Sequence, residues 1–215
     1  MESHAGVKRD YRSPRRDAVR RETRRAILGA AGRLFAERGF VGASFDAIAA
    51  AAGVSRATVF AHFSSKAELL KVAYDVILVG DDEPIALPDR PESVRIRADP
   101  DAHRFLMGYA AIVAGVHRRL APIHEAIRAA ANSDADAADV WRAIQAERRR
   151  GSENVVEEVR RRGSLRTDAT PPRLADVVYV LVDAGTYATL VADRGWAHEA
   201  YADWLGRILV EQLIG

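Results

Sequence analysis

Apolar residues recur at three- and four-residue spacing along most of the chain, and two-residue alternation is nowhere sustained. That period belongs to helices burying one face, so the sequence predicts an all-α fold. Ile27, Ala30, Ala31, Leu34 and Phe35 mark the inner face of a first helix, predicted from about Asp17 to Arg38 and stopped by Gly39 and Phe40. Ser44 caps a second helix, with Asp46 in its first turn and Ile48, Ala49 and Ala52 inward. Gly53 makes the turn, Val54 plugs the core, and Ser55 caps a third helix whose Val59 and Phe63 point in. Ser65 and Glu68 predict a capping box for a fourth, from Lys66 to about Val79.

Gly80, two aspartates and three prolines then break the pattern, with a short helical turn expected at Glu92–Ala98. Asp99-Pro100 opens a helix to about Leu120. Pro122 is expected to open a separate, shorter one through Ala131. A long helix follows from about Asp136 to Arg162, and Gly163 ends it. Thr170-Pro171 opens an unbroken helix to about Asp193, and a last one runs from about Ala197 to Ile214. The expected organisation is a basic arm over 1–18, a three-helix unit over 19–66 and a helical domain over 67–215.

Small Ala49, turn-forming Gly53 and inward Val59 have the spacing of a helix-turn-helix, which lays its second helix in the DNA major groove. Arg56, Ala57, Thr58, Ala61 and His62 face outward from that helix. Charge separates along the chain in the same sense. Residues 1–66 hold 13 Lys and Arg against six Asp and Glu; the remainder holds 19 against 24. A basic first third joined to an acidic remainder implies a polyanion partner for the first part only. Arg20, Arg21, Arg24 and Arg25 crowd the first helix, and Lys8, Arg9, Arg12, Arg15 and Arg16 precede or open it. Lys66, a cation at a helix N-terminus, sits against the dipole, as expected beside a phosphate.

The absence of cysteine excludes disulfides, thiolate nucleophiles and Cys-based zinc sites. No Walker motif, Gly-x-Ser-x-Gly or dinucleotide fingerprint occurs, so no enzyme and no cofactor is expected. His103, His117 and His124 lack a metal-site spacing, and Asp134, Asp136 and Asp139 read as a helix entrance rather than a calcium loop. A polar N-terminus and the lack of any long apolar run lead to the expectation of a cytoplasmic, soluble protein with no membrane partner.

The stretch Thr58-Val59-Phe60-Ala61-His62-Phe63-Ser64-Ser65-Lys66, with the Ala-Gly-Val turn before it, resembles the TetR family of bacterial transcriptional repressors. The resemblance implies a helix-turn-helix DNA-binding domain followed by a helical-bundle domain for ligand binding and dimerisation. It implies a homodimer on a palindromic operator of double-stranded DNA, released by a small-molecule effector. Thr58, Phe60, His62 and Lys66 occupy the family's DNA-facing positions; Ser44, Ser55, Arg24 and Arg56 complete the expected contact set. Phe60 stands where tyrosine is commoner, and Ala61 where a bulkier residue is usual. Specificity is therefore expected from Arg56, Thr58 and His62. The pocket candidates are Met107, Tyr109, Trp141 and Tyr179. The dimer candidates are Leu181, Gly185, Ala188, Trp204 and Ile208, since the family pairs through its last two helices. The other reading is a sensor or sequestering protein whose head has lost sequence reading.

Overall fold

A computed structural model describes residues 14–215. Its helices are α1 (Pro14–Gly42), α2 (Phe45–Ala52), α3 (Arg56–His62), α4 (Lys66–Val79), α5 (Pro91–Ala98), α6 (Ala102–Ala130), α7 (Ala135–Arg161), α8 (Pro171–Leu181), α9 (Ala184–Tyr187) and α10 (His198–Leu213). A π-helical turn at Ala188–Asp193 follows α9. Among the described residues the only β pairing is a single bridge between Leu165 and Ile214. The all-α expectation is met.

Two buried cores organise the chain. The first joins Ile27, Phe35, Ile48, Val59 and Phe63 of α1–α3 to Leu69 and Leu70 of α4, then to Leu120, Ile123 and Ile127 of α6 and Ile144 of α7. The second lies among Phe105, Leu106 and Val113 of α6, Val155 and Val159 of α7, Val178 of α8, and Tyr201, Leu205 and Leu209 of α10. The N-terminal core thus continues through α4 into the long helices. α6 packs against α1, α4, α5, α7, α9 and α10, so it borders both cores.

Five sequence expectations shift. α1 begins at Pro14, so the last residues of the expected arm are helical; Lys8, Arg9 and Arg12 lie outside the described residues. Past Arg38 the helical run resumes after a break at Gly39, whose φ of +68° suits glycine. Pro122 interrupts nothing: α6 runs straight through it. An interior proline costs a helix roughly 3 kcal/mol. Here Leu120, Ile123, His124 and Ile127 continue one buried stripe across it, while Pro122 itself faces out.

The helix expected over Pro171–Asp193 is instead split after Leu181, and one arginine of α7 accounts for the split. Arg148 Nη2 donates to the carbonyls of Tyr179 (3.0 Å) and Val182 (3.3 Å), which the end of α8 leaves free. The same guanidinium lies 2.7 Å from Asp183. Asp183 in turn caps α9 by accepting from the Gly185 N–H at 2.8 Å. Fifth, the Ser65–Glu68 cap is displaced by one residue. Ser65 Oγ accepts from the Glu68 N–H as expected, but the Glu68 carboxylate takes the N–H and hydroxyl of Ser64.

Candidate nucleic-acid interface and internal cavity

The turn between α2 and α3 is built from local hydrogen bonds. Gly53 adopts φ +68°, and its N–H and that of Val54 turn back onto the end of α2, Val54 reaching the Ala49 carbonyl at 3.0 Å. Ser55 Oγ accepts from the Thr58 N–H at 3.1 Å, starting α3. Ser44 does the same for α2, accepting from Ala47 at 3.2 Å. Val59 and Phe63 are buried, which fixes the rotation of α3 and leaves Arg56, Ala57, Phe60 and Ala61 exposed.

Arg56, Thr58 and Phe60 on the outward side of α3 are each held by a neighbour. Arg56 Nη1 pairs with Asp46 of α2 at 2.8 Å, and its guanidinium lies over the Phe60 ring at 5.4 Å. Phe60 remains 46% exposed and meets Phe45 edge-on at 4.5 Å, so the missing tyrosine hydroxyl leaves an apolar plate on the outer face. The Thr58 hydroxyl shares a 2.8 Å hydrogen bond with that of Ser55. His62 is half-buried. Burial, then the charges of Arg20 and Arg24, push its pKa below the ordinary histidine value and favour the neutral ring. Arg24 lies over the Phe63 ring at 4.9 Å.

Lys66 is engaged inside the chain. Its Nζ donates to the Phe40 carbonyl at 2.9 Å and stands 4.1 Å above the Phe40 ring. A cation at the start of α4 is thus explained by the end of α1, where carbonyls are left unsatisfied.

A cavity of about 460 Å³ lies among α4, α5, α6 and α7. Leu78, Leu87, Ile96, Phe105, Ile112, Val113, Val116, Leu120 and Val155 give it apolar walls. Arg97, Asn154, Glu157 and Arg161 ring the solvent end, and Tyr74, His117, His124 and Arg148 close the inner end. His117 Nδ1 and the Tyr201 hydroxyl share a 3.0 Å hydrogen bond, and burial followed by the charge of Arg148 pushes the His117 pKa down to about 3. His124 is 2% exposed, and neither ring nitrogen has a hydrogen-bond partner. Burial lowers its pKa as well. Tyr74 and Tyr109 are both pushed up by burial, Tyr109 to about 12.

Of the four pocket candidates, only Tyr109 lines this cavity. Met107 points to α10, where its sulfur occupies the space a side chain at Gly206 would need. Trp141 stands behind His124, edge-on at 4.9 Å. Tyr179 is held on the far side of Arg148, its hydroxyl donating to Gln145 at 2.6 Å. The polar residues that do line the inner end were missed. Their signal was a His117–Leu120–His124 run on an otherwise apolar helix face, which places two titratable rings inside.

The dimer candidates lie on α8, α9, the π-helical turn and α10. Leu181, Gly185, Ala188, Trp204 and Ile208 are all half-buried, and Val180 beside them is 67% exposed. Gly185 has an internal reason to be small: a side chain there would meet Asp183 Oδ1 at 2.8 Å.

Residues 27–73 match the family described as bacterial regulatory proteins, tetR family. No curated protein matches the chain by sequence. Among solved structures the chain is similar to NalD, the secondary repressor of the MexAB-OprM multidrug efflux pump in Pseudomonas aeruginosa. The identity there is 25%, over 93% of this chain and 98% of that one, with a TM-score of 0.63. It is also similar to the transcriptional regulator FadR from Bacillus subtilis in complex with stearoyl-CoA, at 17% identity over 87% and 98% of the two chains and a TM-score of 0.66. A TetR-family regulator structure from Rhodococcus sp. shares 19% identity over 91% of this chain and 100% of that one, with a TM-score of 0.67.

Proposed function

We propose, from the match of residues 27–73 to the tetR family and from the shared fold, that the chain is a dimeric, effector-released transcriptional repressor acting in the cytoplasm on a palindromic operator. The observation that carries the reading is the pairing of an exposed α3 with an internal cavity bounded by α4, the helix that leads directly out of the DNA-binding head. Arg56 reads a guanine through its bidentate fork, and Thr58 and His62 contact neighbouring bases or phosphates. Phe60 supplies apolar contact, and Arg15, Arg16, Arg20, Arg21 and Arg24 grip the phosphate backbone. Two chains pair through the half-buried face of α8, α9 and α10, setting the two α3 helices at the spacing of successive major grooves, roughly 34–36 Å per turn.

Three contacts fix α4 and its flanks between head and body and support effector control. Arg25 of α1 pairs with Asp82 at 2.7 Å, just beyond α4. Arg119 of α6 donates to the carbonyls of Ile77 (3.0 Å) and Leu78 (2.7 Å) at the end of α4. Lys71 of α4 meets Glu147 of α7 at 3.1 Å. A molecule filling the cavity presses on Tyr74 and Leu78 and changes the angle at which α4 carries the head. The release requires unequal affinity for the two head positions, typically about 1–3 kcal/mol of coupling. No step in this function is chemical, and no catalysis is assigned.

The test is a selection from random duplex DNA with the full chain, repeated at rising salt. Enrichment of a palindrome, with affinity falling steeply as salt rises, is the expected result. Recovery of no preferred sequence would overturn the reading in favour of a sensor without DNA specificity.

A further inference from the structure

The cavity's inner end carries one unanswered polar group, and its chemistry selects a ligand class. Two histidines project there from the same face of α6, two turns apart. His117 is answered by the Tyr201 hydroxyl at 3.0 Å. His124, equally buried, is answered by nothing: its Nε2 stands 3.9 Å from Asp183, beyond hydrogen-bond reach, and its Nδ1 has no partner. A buried donor and acceptor left unmade cost the native fold about 1–3 kcal/mol each, so such a group calls for an explanation. Lining a cavity of ligand size, His124 finds that explanation in a bound molecule.

The charges around it decide the kind of molecule. Arg148, the only cation at the inner end among the described residues, is consumed: it pairs with Asp183 at 2.7 Å and donates to the Tyr179 and Val182 carbonyls. Both histidines are held neutral by burial. The inner end therefore has no spare charge with which to meet a buried ion, and burying an unpaired ion is prohibitive. A neutral imidazole offers one N–H and one lone pair, which suits a hydroxyl or a carbonyl. The walls between the inner end and the solvent end are almost wholly apolar. From Arg148 to Arg161 along α7 they extend about 20 Å, at roughly 1.5 Å per helical residue.

We propose that the effector is an elongated, mainly apolar molecule ending in one uncharged hydrogen-bonding group, a hydroxyl or carbonyl, that docks against His124 with its chain directed toward Arg97 and Arg161. The proposal rests on the effector reading above, since it identifies what that cavity takes.

The experiment uses the full chain and a fluorescent apolar probe, N-phenyl-1-naphthylamine, displaced by a matched series: 1-dodecanol, dodecanoate, dodecyltrimethylammonium and dodecane. The expected result is probe entry, with 1-dodecanol displacing it at about tenfold lower concentration than dodecane or either ion, the worth of one satisfied hydrogen bond. The emission of Trp141, in edge contact with the His124 ring, should shift with 1-dodecanol. His124→Phe should erase the alcohol's advantage over dodecane, each compared by displacement of the probe bound to that variant, and His124→Gln, which keeps a donor and an acceptor, should retain part of it. Thermal melts establish that both variants are folded. Failure of the probe to enter the wild-type chain would overturn the effector reading itself. Entry followed by equal displacement across the series, or preference for dodecanoate or the ammonium, would overturn the ligand class alone. An alcohol preference that survives His124→Phe would overturn His124 as the anchor.

Discussion

Arg148 and Asp183 meet at 2.7 Å across the break between α8 and α9, and the same guanidinium closes the end of α8 while the same carboxylate opens α9. One ion pair thus shapes the junction of α8 and α9 and closes the cavity's inner end. Arg148→Met strands Asp183 beside two buried histidines and frees two carbonyls. Breaking a fully buried pair costs roughly 3–5 kcal/mol. Asp183 keeps a third of its side chain in solvent, so the loss here should be about 2–3 kcal/mol. Asp183→Asn, which retains the acceptor for Gly185, should lose less. Urea midpoints at one fixed protomer concentration measure both.

This break marks the limit of what the sequence could reveal. The helix-turn-helix was legible because its signals are local: Ser44, Gly53 and Ser55 each act on residues within four positions. Val59 and Phe63 were assigned to the core from spacing alone, and both are buried. The break at Val182 was not legible, because its cause is Arg148, more than thirty residues earlier. Proline at 122 misled for the complementary reason. A local rule predicted a helix end, but burial of Leu120 and Ile123 on either side outweighs it. Lys66 follows the same logic: its partner is Phe40, twenty-six residues away. The pocket candidates were large apolar or aromatic residues, Met107, Tyr109, Trp141 and Tyr179, whereas the inner wall is made by His117 and His124, weighed in the sequence only as metal ligands, and by Arg148, which no sequence signal singled out.

The buried histidines give stability a one-sided dependence on pH. An unfolded histidine titrates near 6.5. Folded His117 titrates near 3, and His124 and His62 are also lowered. The groups facing His117 are Tyr201, Tyr187, Arg148, Asp183 and His124. Between the folded and unfolded values the unfolded chain holds more protons, so stability is full above about pH 6.5 and falls as pH drops. The slope from His117 should approach about 1.4 kcal/mol per pH unit, and His124 and His62 add to it in the same direction. Denaturation at pH 7.5, 6.5, 5.5 and 5.0 tests this above the range where carboxylates dominate. His117→Gln should flatten the slope by one ring's share; an unchanged slope would mean the ring is protonated when folded.

Lys66→Met separates an internal from an external role for the lysine. Loss of the charged hydrogen bond to Phe40 and of the cation–π contact should lower stability by about 2 kcal/mol. The salt slope of operator binding should change by much less than the roughly 0.9 that one lost phosphate contact removes. Thermal melts and salt titrations on the same preparation give both values. A full loss of slope without destabilisation would show that Lys66 leaves Phe40 for the DNA.

Arg56 and Asp46 make opposite predictions from one ion pair. Their side chains are 57% and 65% exposed, so the pair contributes little to stability, and either substitution should leave the melting temperature nearly unchanged. Their effects on DNA should diverge. Arg56→Ala removes the fork proposed to read guanine and should cost about 1–3 kcal/mol of discrimination at one base pair of each half-site. Asp46→Ala removes a negative charge from the reading face and the partner that aims the guanidinium over Phe60. It should tighten binding to all sequences while narrowing the gap between operator and random DNA. Competition binding against a duplex altered at single positions measures that gap. Equal loss of affinity for operator and random DNA on Arg56→Ala would reassign the residue from base reading to phosphate grip.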